Sequence, residues 1–519
     1  MIYTVTSTLP LVHGGRTKSL LTRIRFLDKE MGIHNKILTT NYNANYNEVY
    51  QKFEENQLIT KNTQIENIYD WLSDFKLLSI PKSRFKKKTL YSEKDRDIEG
   101  LTSKAFNDGN VMRYYDQETY VLYRKFYEDT NIIEFEDVMS PISKKKIERR
   151  EYNHFGQLHR KIYFSSRTYH KILEEYFDTE GSIYCKKFFN SQKANELDFI
   201  QIFKNQRIMK AFKNEKDLFK YYFEHRFKQN DIVFNDARLL DKPLLNNCMN
   251  TKNVLVFHNS HIDGDNIKSS YKIALENSDK VAQYLLLTHM QKDDIQHAYG
   301  ISDEKISIVP HFIKSYGQKD THHKEDRFVF IGRLGKQKQV DHLIKSYNQF
   351  LKNGHQTKLA IYGADEQNQK QVILDLVKEY QIEDKVDLND FTKHPLEEFK
   401  KSKASLLTSE YEGFGLTVME SIEVGCPVIS YDVRYGPGEI IEHGENGYLV
   451  EPDNIEAFAA YMDKIIKNPL KHVKTKETLK YVQQLWGYKV RLLTKNKDNK
   501  EFYINCDEDK KITVIESNK

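Results

Sequence analysis

The stretch that decides the fold is Ser409-Glu410-Tyr411-Glu412-Gly413-Phe414-Gly415-Leu416-Thr417-Val418-Met419-Glu420. An apolar run over residues 404–407 precedes it and predicts a strand. The residues that follow predict a helix from about Leu416 to a stop at Gly425, and then another apolar strand. Strand, helix and strand in this order indicate half of a parallel βαβ layer, and therefore an α/β fold.

Two glycines and two carboxylates give this stretch a binding function. Gly413 and Gly415 flank Phe414 and let the backbone approach a ligand closely. The helix that follows presents free N–H groups and the positive end of its dipole, which favours an anion. Glu412 and Glu420 bracket the loop, and carboxylates accept hydrogen bonds from sugar or ribose hydroxyls. The stretch therefore predicts a site for a nucleotide sugar.

Composition excludes several classes of protein. The chain has 519 residues, enough for roughly three domains. Its net charge of +5 is small for this length and argues against a dedicated nucleic-acid binder. Its four cysteines are far apart, and no apolar run reaches the ~18 residues of a membrane span. We expect a cytoplasmic protein, with peripheral attachment at the inner face of the membrane as the alternative.

The first Rossmann-like domain is predicted in two parts, residues 1–78 and 206–312. In the first part Gly14-Gly15 opens a helix, which predicts either a phosphate-sized gap or only a turn. In the second part His258 and His261 follow a buried strand, where parallel sheets place their ligands. A structural role for these histidines remains open. A metal site at Asp263 and Asp265 is the weaker alternative, because no further ligands accompany them.

Residues 79–205 predict an inserted antiparallel β module, because short aromatic and polar runs alternate between polar turns. Such a module predicts homo-oligomers if its edge strands pair between subunits. It also carries basic residues that either bind a polyanionic acceptor or keep the strand edges soluble. These residues are Lys82, Arg84, Lys86, Lys87, Lys88, Lys144, Lys145, Lys146, Arg149 and Arg150.

A second Rossmann-like domain is predicted over residues 313–475. Its first strand ends at Arg333, and Lys338 lies in the following loop. Both cations are predicted to face the helix that begins at Leu416 and to neutralise a diphosphate leaving group, although a solvated turn is the alternative for Arg333. The C-terminal tail, residues 476–519, has two apolar pieces at 485–490 and 501–506 with a lysine-rich spacer between them.

Together these motifs resemble a known family. Glu412 and Glu420 around Gly-Phe-Gly, the pair Arg333 and Lys338, and the Gly14-Gly15 loop are similar to the group-4 family of retaining glycosyltransferases, which have the two-Rossmann, B-type fold. The inserted module, His258-x-x-His261 and the motif over 434–437 resemble its bacterial poly(glycerol-phosphate) and poly(ribitol-phosphate) sugar transferases. Relatives in that subgroup glycosylate serine-aspartate repeats of adhesins instead.

The resemblance implies a role for each site residue. Catalysis would involve His261, Arg333, Lys338 and Glu412, with His261 beside the reacting sugar and Glu412 on its hydroxyls. The donor, a UDP-sugar, would also contact Gly15, Gly413, Phe414, Gly415, Leu416 and, through its ribose, Glu420. Lys144, Lys145, Lys146, Arg149 and Arg150 would bind an anionic acceptor. Neither a metal nor another cofactor is expected.

Three questions stay open at the level of sequence. The transferred sugar is either N-acetylglucosamine or glucose, and the acceptor is either a teichoic-acid polyol phosphate or a serine-aspartate repeat. Residues 389–392 depart from the family's usual turn near the base, which leaves the nucleotide less well defined. A catalytically silent scaffold that binds polyanions is the alternative to an enzyme.

Overall fold

The computed structural model describes residues 1–11, 14–77, 93–264, 266–311, 324–470, 473, 501–506 and 512–517. The basic run at 82–88, Asp265, the tail piece at 485–490 and the predicted domain borders near 78, 312 and 475 lie outside these residues. Contacts divide the chain into two compact units, Met1–Asn253 and Val254–Lys519. Each unit is described by itself.

The first unit begins with alternating strands and helices, as predicted. Ile2 to Thr6 are all buried, as expected for a strand covered on both faces. The elements are β1 (Ile2–Thr6), α1 (Gly15–Met31), β2 (Asn35–Thr39), α2 (Tyr46–Glu55), β3 (Gln64–Asn67) and α3 (Ile68–Leu72).

A ten-stranded antiparallel sheet follows, in which each strand pairs with the next along the chain. The predicted β module is therefore a continuous meander. Its last hairpin ends at Phe212, beyond residue 205 where the sequence placed the end of the module. The strands are β4 (Thr102–Phe106), β5 (Val111–Asp116), β6 (Thr119–Phe126), β7 (Ile133–Met139), β8 (Lys146–Tyr152), β9 (Leu158–Phe164), β10 (Lys171–Phe177), β11 (Ile183–Phe189), β12 (Leu197–Lys204) and β13 (Arg207–Phe212).

The chain then returns to the parallel sheet of the first unit through α4 (Glu215–Arg226), β14 (Ile232–Asn235) and α5 (Asp241–Leu245). Strand β1 pairs in parallel with β2 and with β14, and β2 pairs with β3. The resulting order β3-β2-β1-β14 is that of a Rossmann sheet. In such a sheet the strands are added first on one side of the first strand and then on its other side, and all of them stay parallel.

The second unit opens with three parallel strands, two of which carry loops that matter for the site. Val254 pairs with Gln283 and Tyr284 with Ile306. The elements are β15 (Lys252–Val256), β16 (Ile262–Asp263), β17 (Asn266–Ile267), α6 (Ser269–Glu276), β18 (Gln283–Leu286), α7 (His289–Tyr299) and β19 (Ile306–Ile308). The predicted strands in this region are confirmed, and the division between the units falls within β15.

A six-stranded parallel sheet completes the second Rossmann-like domain, with the order β22-β21-β20-β23-β24-β25. Aromatic and aliphatic side chains of β20 and α8 are wholly buried in its core. The elements are β20 (Arg327–Ile331), α8 (Val340–Lys352), β21 (Lys358–Tyr362), α9 (Gln369–Glu379), β22 (Val386–Asn389), α10 (Pro395–Lys401), β23 (Ala404–Leu407), α11 (Leu416–Glu423), β24 (Val428–Tyr431), α12 (Pro437–Ile440), β25 (Gly447–Val450) and α13 (Ile455–Lys467).

The tail contributes one antiparallel hairpin, β26 (Glu501–Cys506) with β27 (Ile512–Ser517). Within the described residues, no helix is both long and apolar enough to cross a membrane. The predicted border at residue 312 differs from the contact-based division at Asn253, because the loops after β15 pack on the second Rossmann-like domain rather than only on their own sheet.

Candidate functional site

The loop between β23 and α11 lies where the sequence placed the donor site, at the carboxyl end of a central parallel strand. After this predicted role, we call residues 408–415 the donor loop. Helix α11 begins at Leu416, as predicted, and ends at Glu423. Gly415, directly before it, has a φ of 91°, a backbone conformation that side chains with a Cβ rarely adopt. None of the described side chains caps this helix, so its first N–H groups are available to a ligand.

Glu412 is held in this loop by two donors. Lys338 Nζ lies 2.5 Å from Glu412 Oε1, and Ser409 Oγ donates to the same oxygen at 2.6 Å. Thr408 in turn donates to the backbone carbonyl of Lys338 at 3.0 Å, so both sides of the ion pair are fixed to the strand end. The structure therefore brings together two predicted site residues that are 74 positions apart in the chain.

Arg333 does not take part in this pair. Its guanidinium lies 2.9 and 3.0 Å from the two carboxylate oxygens of Glu366, and its side chain is 64% exposed. Burial raises the pKa of the Tyr411 phenol, and the nearby positive charge of Arg333 opposes this rise. Arg333 thus lies near Tyr411 of the loop between β23 and α11, and its guanidinium is paired with Glu366.

The donor loop packs tightly on the loop after β15. A Cβ on Gly413 would stand 2.3 Å from the carbonyl oxygen of His258 and 2.8 Å from Cα of Asn259, so only glycine fits. The ring of His311 stacks near that of His258 and meets Phe414 edge to face, with centroids 5.5 Å apart. The segment with His258 and the segment with Gly413, both predicted from sequence, are therefore neighbours in the second unit.

His261 is wholly buried and is contacted by Tyr435. The two rings are stacked with an interplanar angle of 11°, and Tyr435 Oη lies 3.5 Å from His261 Nδ1. The same hydroxyl donates to Asp294 at 2.6 Å. Burial lowers the pKa of His261 to about 4; the charges of Lys268 and Arg434 act in the same direction, and Asp294 opposes them. His261 is therefore neutral at neutral pH.

Tyr435 is also tied to Glu412 through the backbone. Glu412 N–H donates to the carbonyl of Arg434 and Tyr435 N–H donates to the carbonyl of Glu412, both at 2.8 Å. The peptide bond between Arg434 and Tyr435 is cis. Gly436 approaches Phe414 so closely that a Cβ would overlap its carbonyl oxygen. The motif over 434–437 thus serves as the second wall of the donor loop.

Several residues of this arrangement were not predicted as site residues. Ser409 and Asp294 have no local signal, because a serine at a strand end and an aspartate on a helix are common everywhere. Tyr435 lies in the motif over 434–437, but no role of its own was predicted for it. Lys268 is a fourth: its Nζ lies 4.1 Å above the ring of Tyr411. Glu420, which the sequence assigned to a ribose, is half-buried on α11 and remains a prediction.

The predicted site residues of the first unit are described separately. Gly15 is the first residue of α1, and the preceding Gly14 has open space around it. In the β module, Arg149 makes two hydrogen bonds to Asp137 at 2.6 and 2.7 Å, and Arg150 donates to Glu148 at 2.7 Å. These arginines are neutralised within the sheet, which weakens the prediction that they bind an acceptor.

The three lysines of the same region differ from one another. Lys146 Nζ lies 4.6 Å above the ring of Phe164, and burial lowers its pKa. Lys144 and Lys145 are exposed in the turn before β8, and neither forms an ion pair with a described residue. The prediction of acceptor binding in this region therefore rests on the two exposed lysines.

This geometry can be compared with known proteins. Residues 314–482 match the family described as glycosyl transferases group 1, and this range contains the Lys338–Glu412 pair and the uncapped helix. Residues 314–482 are therefore similar to a group 1 glycosyl transferase domain. The described part of this domain begins with the strand that leads to Arg333 and includes the wall at 434–437.

The similarity to individual proteins extends over nearly the whole chain. A poly(glycerol-phosphate) alpha-glucosyltransferase of Bacillus subtilis is 26% identical over 496 residues, which cover 92% of this chain and 71% of that protein. A poly(ribitol-phosphate) alpha-N-acetylglucosaminyltransferase of Staphylococcus aureus is also 26% identical, over 90% of this chain and 92% of its own.

Solved structures show the same architecture. S. aureus TarM, solved as a variant with fondaparinux, alpha-GlcNAc-glycerol and UDP, has a TM-score of 0.75 at 24% identity and covers 90% of this chain and 92% of its own. The pneumococcal O-GlcNAc transferase GtfA, solved with UDP and GlcNAc, has a TM-score of 0.62 at 20% identity, over 93% and 95% of the two chains. The predicted fold, two Rossmann-like domains with an inserted antiparallel module, is confirmed.

Proposed function

We propose that this protein transfers a sugar from a UDP-sugar to hydroxyl groups of an anionic cell-envelope acceptor, with retention of configuration at the anomeric carbon. The supporting observation is the Lys338–Glu412 pair in front of the uncapped start of α11. It joins a cation for the diphosphate, a carboxylate for sugar hydroxyls and free backbone N–H groups within one loop. The two relatives that cover 92% and 90% of the chain are named as polyol-phosphate sugar transferases, and a relative that covers 69% is named as a UDP-N-acetylglucosamine transferase, which agrees with this chemistry.

The chain's residues divide the work as follows. Glu412 accepts hydrogen bonds from the sugar, and Glu420 accepts them from the ribose. Lys338, the N–H groups at the start of α11 and Arg333, once it leaves Glu366, stabilise the charge that develops on the departing diphosphate. The acceptor oxygen bonds to the anomeric carbon while the bond to the diphosphate breaks. The hydroxyl proton passes to a phosphate oxygen, so no protein nucleophile and no metal are needed.

Two acceptor classes fit this proposal. Relatives are named for poly(glycerol-phosphate), poly(ribitol-phosphate) and peptide acceptors. The first two are polyanions, which suits the exposed pair Lys144 and Lys145. We favour a teichoic-acid polyol phosphate, since these two relatives cover a larger share of the chain than the peptide transferase does. The proposed place of action is the cytoplasmic side of the membrane, where nucleotide sugars are available.

The test is a transfer assay with four donor and acceptor combinations. UDP-glucose and UDP-N-acetylglucosamine are each incubated with poly(ribitol phosphate) and with a serine-aspartate repeat peptide, and products are identified by mass spectrometry. We expect a hexose or N-acetylhexosamine on the polymer, at a rate that EDTA leaves unchanged. Glu412→Gln should lower the rate by at least about a hundredfold, whereas Glu410→Gln, an exposed carboxylate two residues away, should not.

The outcomes separate the alternatives. A mass gain on serine would refute the polymer version and support the peptide version. No turnover with any pair, together with retained binding of the polymer, would support a silent polyanion-binding scaffold instead. A rate that falls with EDTA and recovers with Mg²⁺ would contradict the proposal that no metal takes part.

A further inference from the structure

The hydroxyl of Tyr435 has a single hydrogen, and its two neighbours compete for it. Asp294 Oδ2 is 2.6 Å away and carries a negative charge, whereas His261 Nδ1 is 3.5 Å away. A short bond to a charged acceptor is roughly twice as strong as a neutral one, so the hydrogen is directed to Asp294. The contact with the histidine is then favourable only if Nδ1 carries a hydrogen and donates it to the phenol oxygen.

The other ring nitrogen of His261 has a different environment. The residue is wholly buried, and Nε2 has no hydrogen-bond partner among the described residues. With the hydrogen on Nδ1, Nε2 of the neutral ring carries a lone pair. A buried lone pair without a donor costs free energy, which indicates that a ligand supplies one.

We propose that Tyr435, oriented by Asp294, is a positioning residue that fixes the tautomer of His261, so that Nε2 accepts a hydrogen bond from a hydroxyl of the donor sugar. This inference rests on the proposed function for the identity of the ligand, but the tautomer itself does not. The charged groups that face the ring are Asp294 from α7, Lys268 before α6 and Arg434 beside Tyr435. Burial and the two cations keep the ring neutral, as the acceptor role requires.

Tyr435 also links His261 to Glu412, the carboxylate that is proposed to bind the sugar. The backbone N–H of Tyr435 donates to the carbonyl of Glu412, and the N–H of Glu412 donates to the carbonyl of the preceding Arg434. The side chain and the backbone of one residue therefore set the positions of the two groups that the sugar contacts. A hydroxyl donor to Nε2 and a second hydroxyl donor to Glu412 define a ligand with at least two free O–H groups, which UDP alone does not present at this point.

The first experiment measures the tautomer directly. In protein labelled with ¹⁵N-histidine, the signals of His261 are assigned by their loss in His261→Gln, and long-range ¹H–¹⁵N spectra show which nitrogen is protonated. We expect Nδ1–H in the parent. Asp294→Asn keeps an acceptor for the phenol and should keep this tautomer, whereas Asp294→Leu frees the phenol to donate to Nδ1 and should move the proton to Nε2.

The second experiment tests the ligand. Addition of a UDP-sugar should shift the Nε2 signal, and addition of UDP should leave it in place. Because this readout needs no turnover, a protein that transfers no sugar would refute the proposed function and leave the tautomer assignment standing. A parent protein with the proton on Nε2, or equal shifts with UDP and UDP-sugar, would overturn the inference.

The third experiment is kinetic. Tyr435→Phe should lower kcat by about tenfold, the effect of one lost hydrogen bond, while the affinity for UDP stays the same. The same change in His261→Gln should cost nothing further, since Tyr435 acts through His261. Tyr347→Phe is the matched control: it removes an equally buried phenol that donates to the Thr357 carbonyl at 2.8 Å, and kcat should not change. If the losses in kcat of the two single variants multiplied in the double variant, Tyr435 would be only structural.

Discussion

At the scale of single residues, the ion pair of Arg333 bears on the proposed binding of the donor. Its pair with Glu366 is well exposed on both sides, and exposed ion pairs contribute only about 0–1 kcal/mol. Charge-assisted hydrogen bonds to a diphosphate are worth about 1.5–3 kcal/mol. If the proposed function is correct, we expect the diphosphate to displace Glu366 from the guanidinium, which Glu366 holds in place before the donor binds.

This competition gives a prediction for UDP binding. Arg333→Met should weaken UDP binding by about tenfold to a hundredfold, because it removes charge-assisted bonds to the diphosphate. Glu366→Gln should leave binding equal or tighter, since the amide competes less well for the guanidinium. Isothermal titration calorimetry measures both. If Glu366→Gln weakened binding as much as Arg333→Met does, the carboxylate would itself be part of the donor site.

Sequence predicted part of this site and missed the rest for a physical reason. The spacing of Arg333 and Lys338 after a strand, and of Glu412 before a helix, is set by local backbone geometry, so a linear pattern reveals it. The side chain of Tyr435 contacts His261 and Asp294, which are 174 and 141 positions away, and no spacing encodes such contacts. Ser409 contacts Glu412 three positions away, but a serine at a strand end is too common to indicate this role. The exchange of partners between Arg333 and Glu366 is likewise invisible until the two side chains are placed.

At the scale of secondary-structure elements, α3 of the first unit contains a buried acid. Asp70 is wholly buried, and neither carboxylate oxygen makes a well-formed hydrogen bond to a described group. Burial raises the pKa of Asp70 from 3.8 to about 7, and the charge of Glu66 acts in the same direction. The folded chain therefore holds a proton that the unfolded chain releases near pH 4.

The resulting prediction concerns stability against pH. Between about pH 4 and pH 7 the folded state binds more protons at this group, so its contribution to the free energy of unfolding falls as pH rises and levels off above pH 7. Asp70→Asn should remove this fall and raise stability at pH 8 by up to a few kcal/mol. Urea unfolding of the parent and of Asp70→Asn at pH 5 and at pH 8 measures this difference in stability.

The matched control is Asp116→Asn, the same chemical change at an exposed position of β5. Asp116→Asn should leave the midpoint of urea unfolding unchanged at both pH 5 and pH 8. An Asp70→Asn variant that is less stable than the parent at pH 8 would contradict the assignment and would indicate that the ionised carboxylate has a stabilising partner.

The turn before β8 gives a prediction for acceptor binding. Lys144→Glu with Lys145→Glu should weaken binding of poly(ribitol phosphate) and reduce its dependence on salt, because two unpaired cations are reversed. Lys213→Glu with Lys216→Glu changes the net charge equally at the start of α4 and should have little effect. Equal losses in both variants would mean that total charge, and not this turn, attracts the polymer.

The elements themselves were predictable to different degrees. The limits of β23 and α11 follow from buried apolar runs and glycines, and the sequence placed them correctly. The end of the β module did not follow, because β12 and β13 continue the alternation of polar and apolar residues past residue 205 without a break in composition. The order of the parallel strands depends on long-range pairing, which no local pattern contains.

At the scale of the whole molecule, the open edge of the ten-stranded sheet bears on assembly. Within the described residues β13 pairs only with β12, and Ile208 and Met209 on it are each 59% exposed. An apolar edge strand of this kind favours pairing with another chain. The predicted homo-oligomer through the β module therefore stays our proposal.

Light scattering after size-exclusion chromatography tests this proposal. The parent should elute above the monomer mass, and Ile208→Lys with Met209→Lys should shift it toward the monomer, because charges on an edge strand oppose pairing. Ile142→Lys, an equally apolar and even more exposed position in a turn, is the control and should leave the mass unchanged. A monomeric parent would refute the proposal.

The close approach of Gly413 to the carbonyl of His258 also has a consequence for engineering donor specificity. A hybrid with a related protein could be cut at the border between the two Rossmann-like domains that the sequence predicts near residue 312. Such a cut would separate the donor loop from the loop it has to fit, at a contact with no room for a single methyl group. A graft that carries residues from 254 onward keeps both loops from one parent and should transfer the choice of sugar intact.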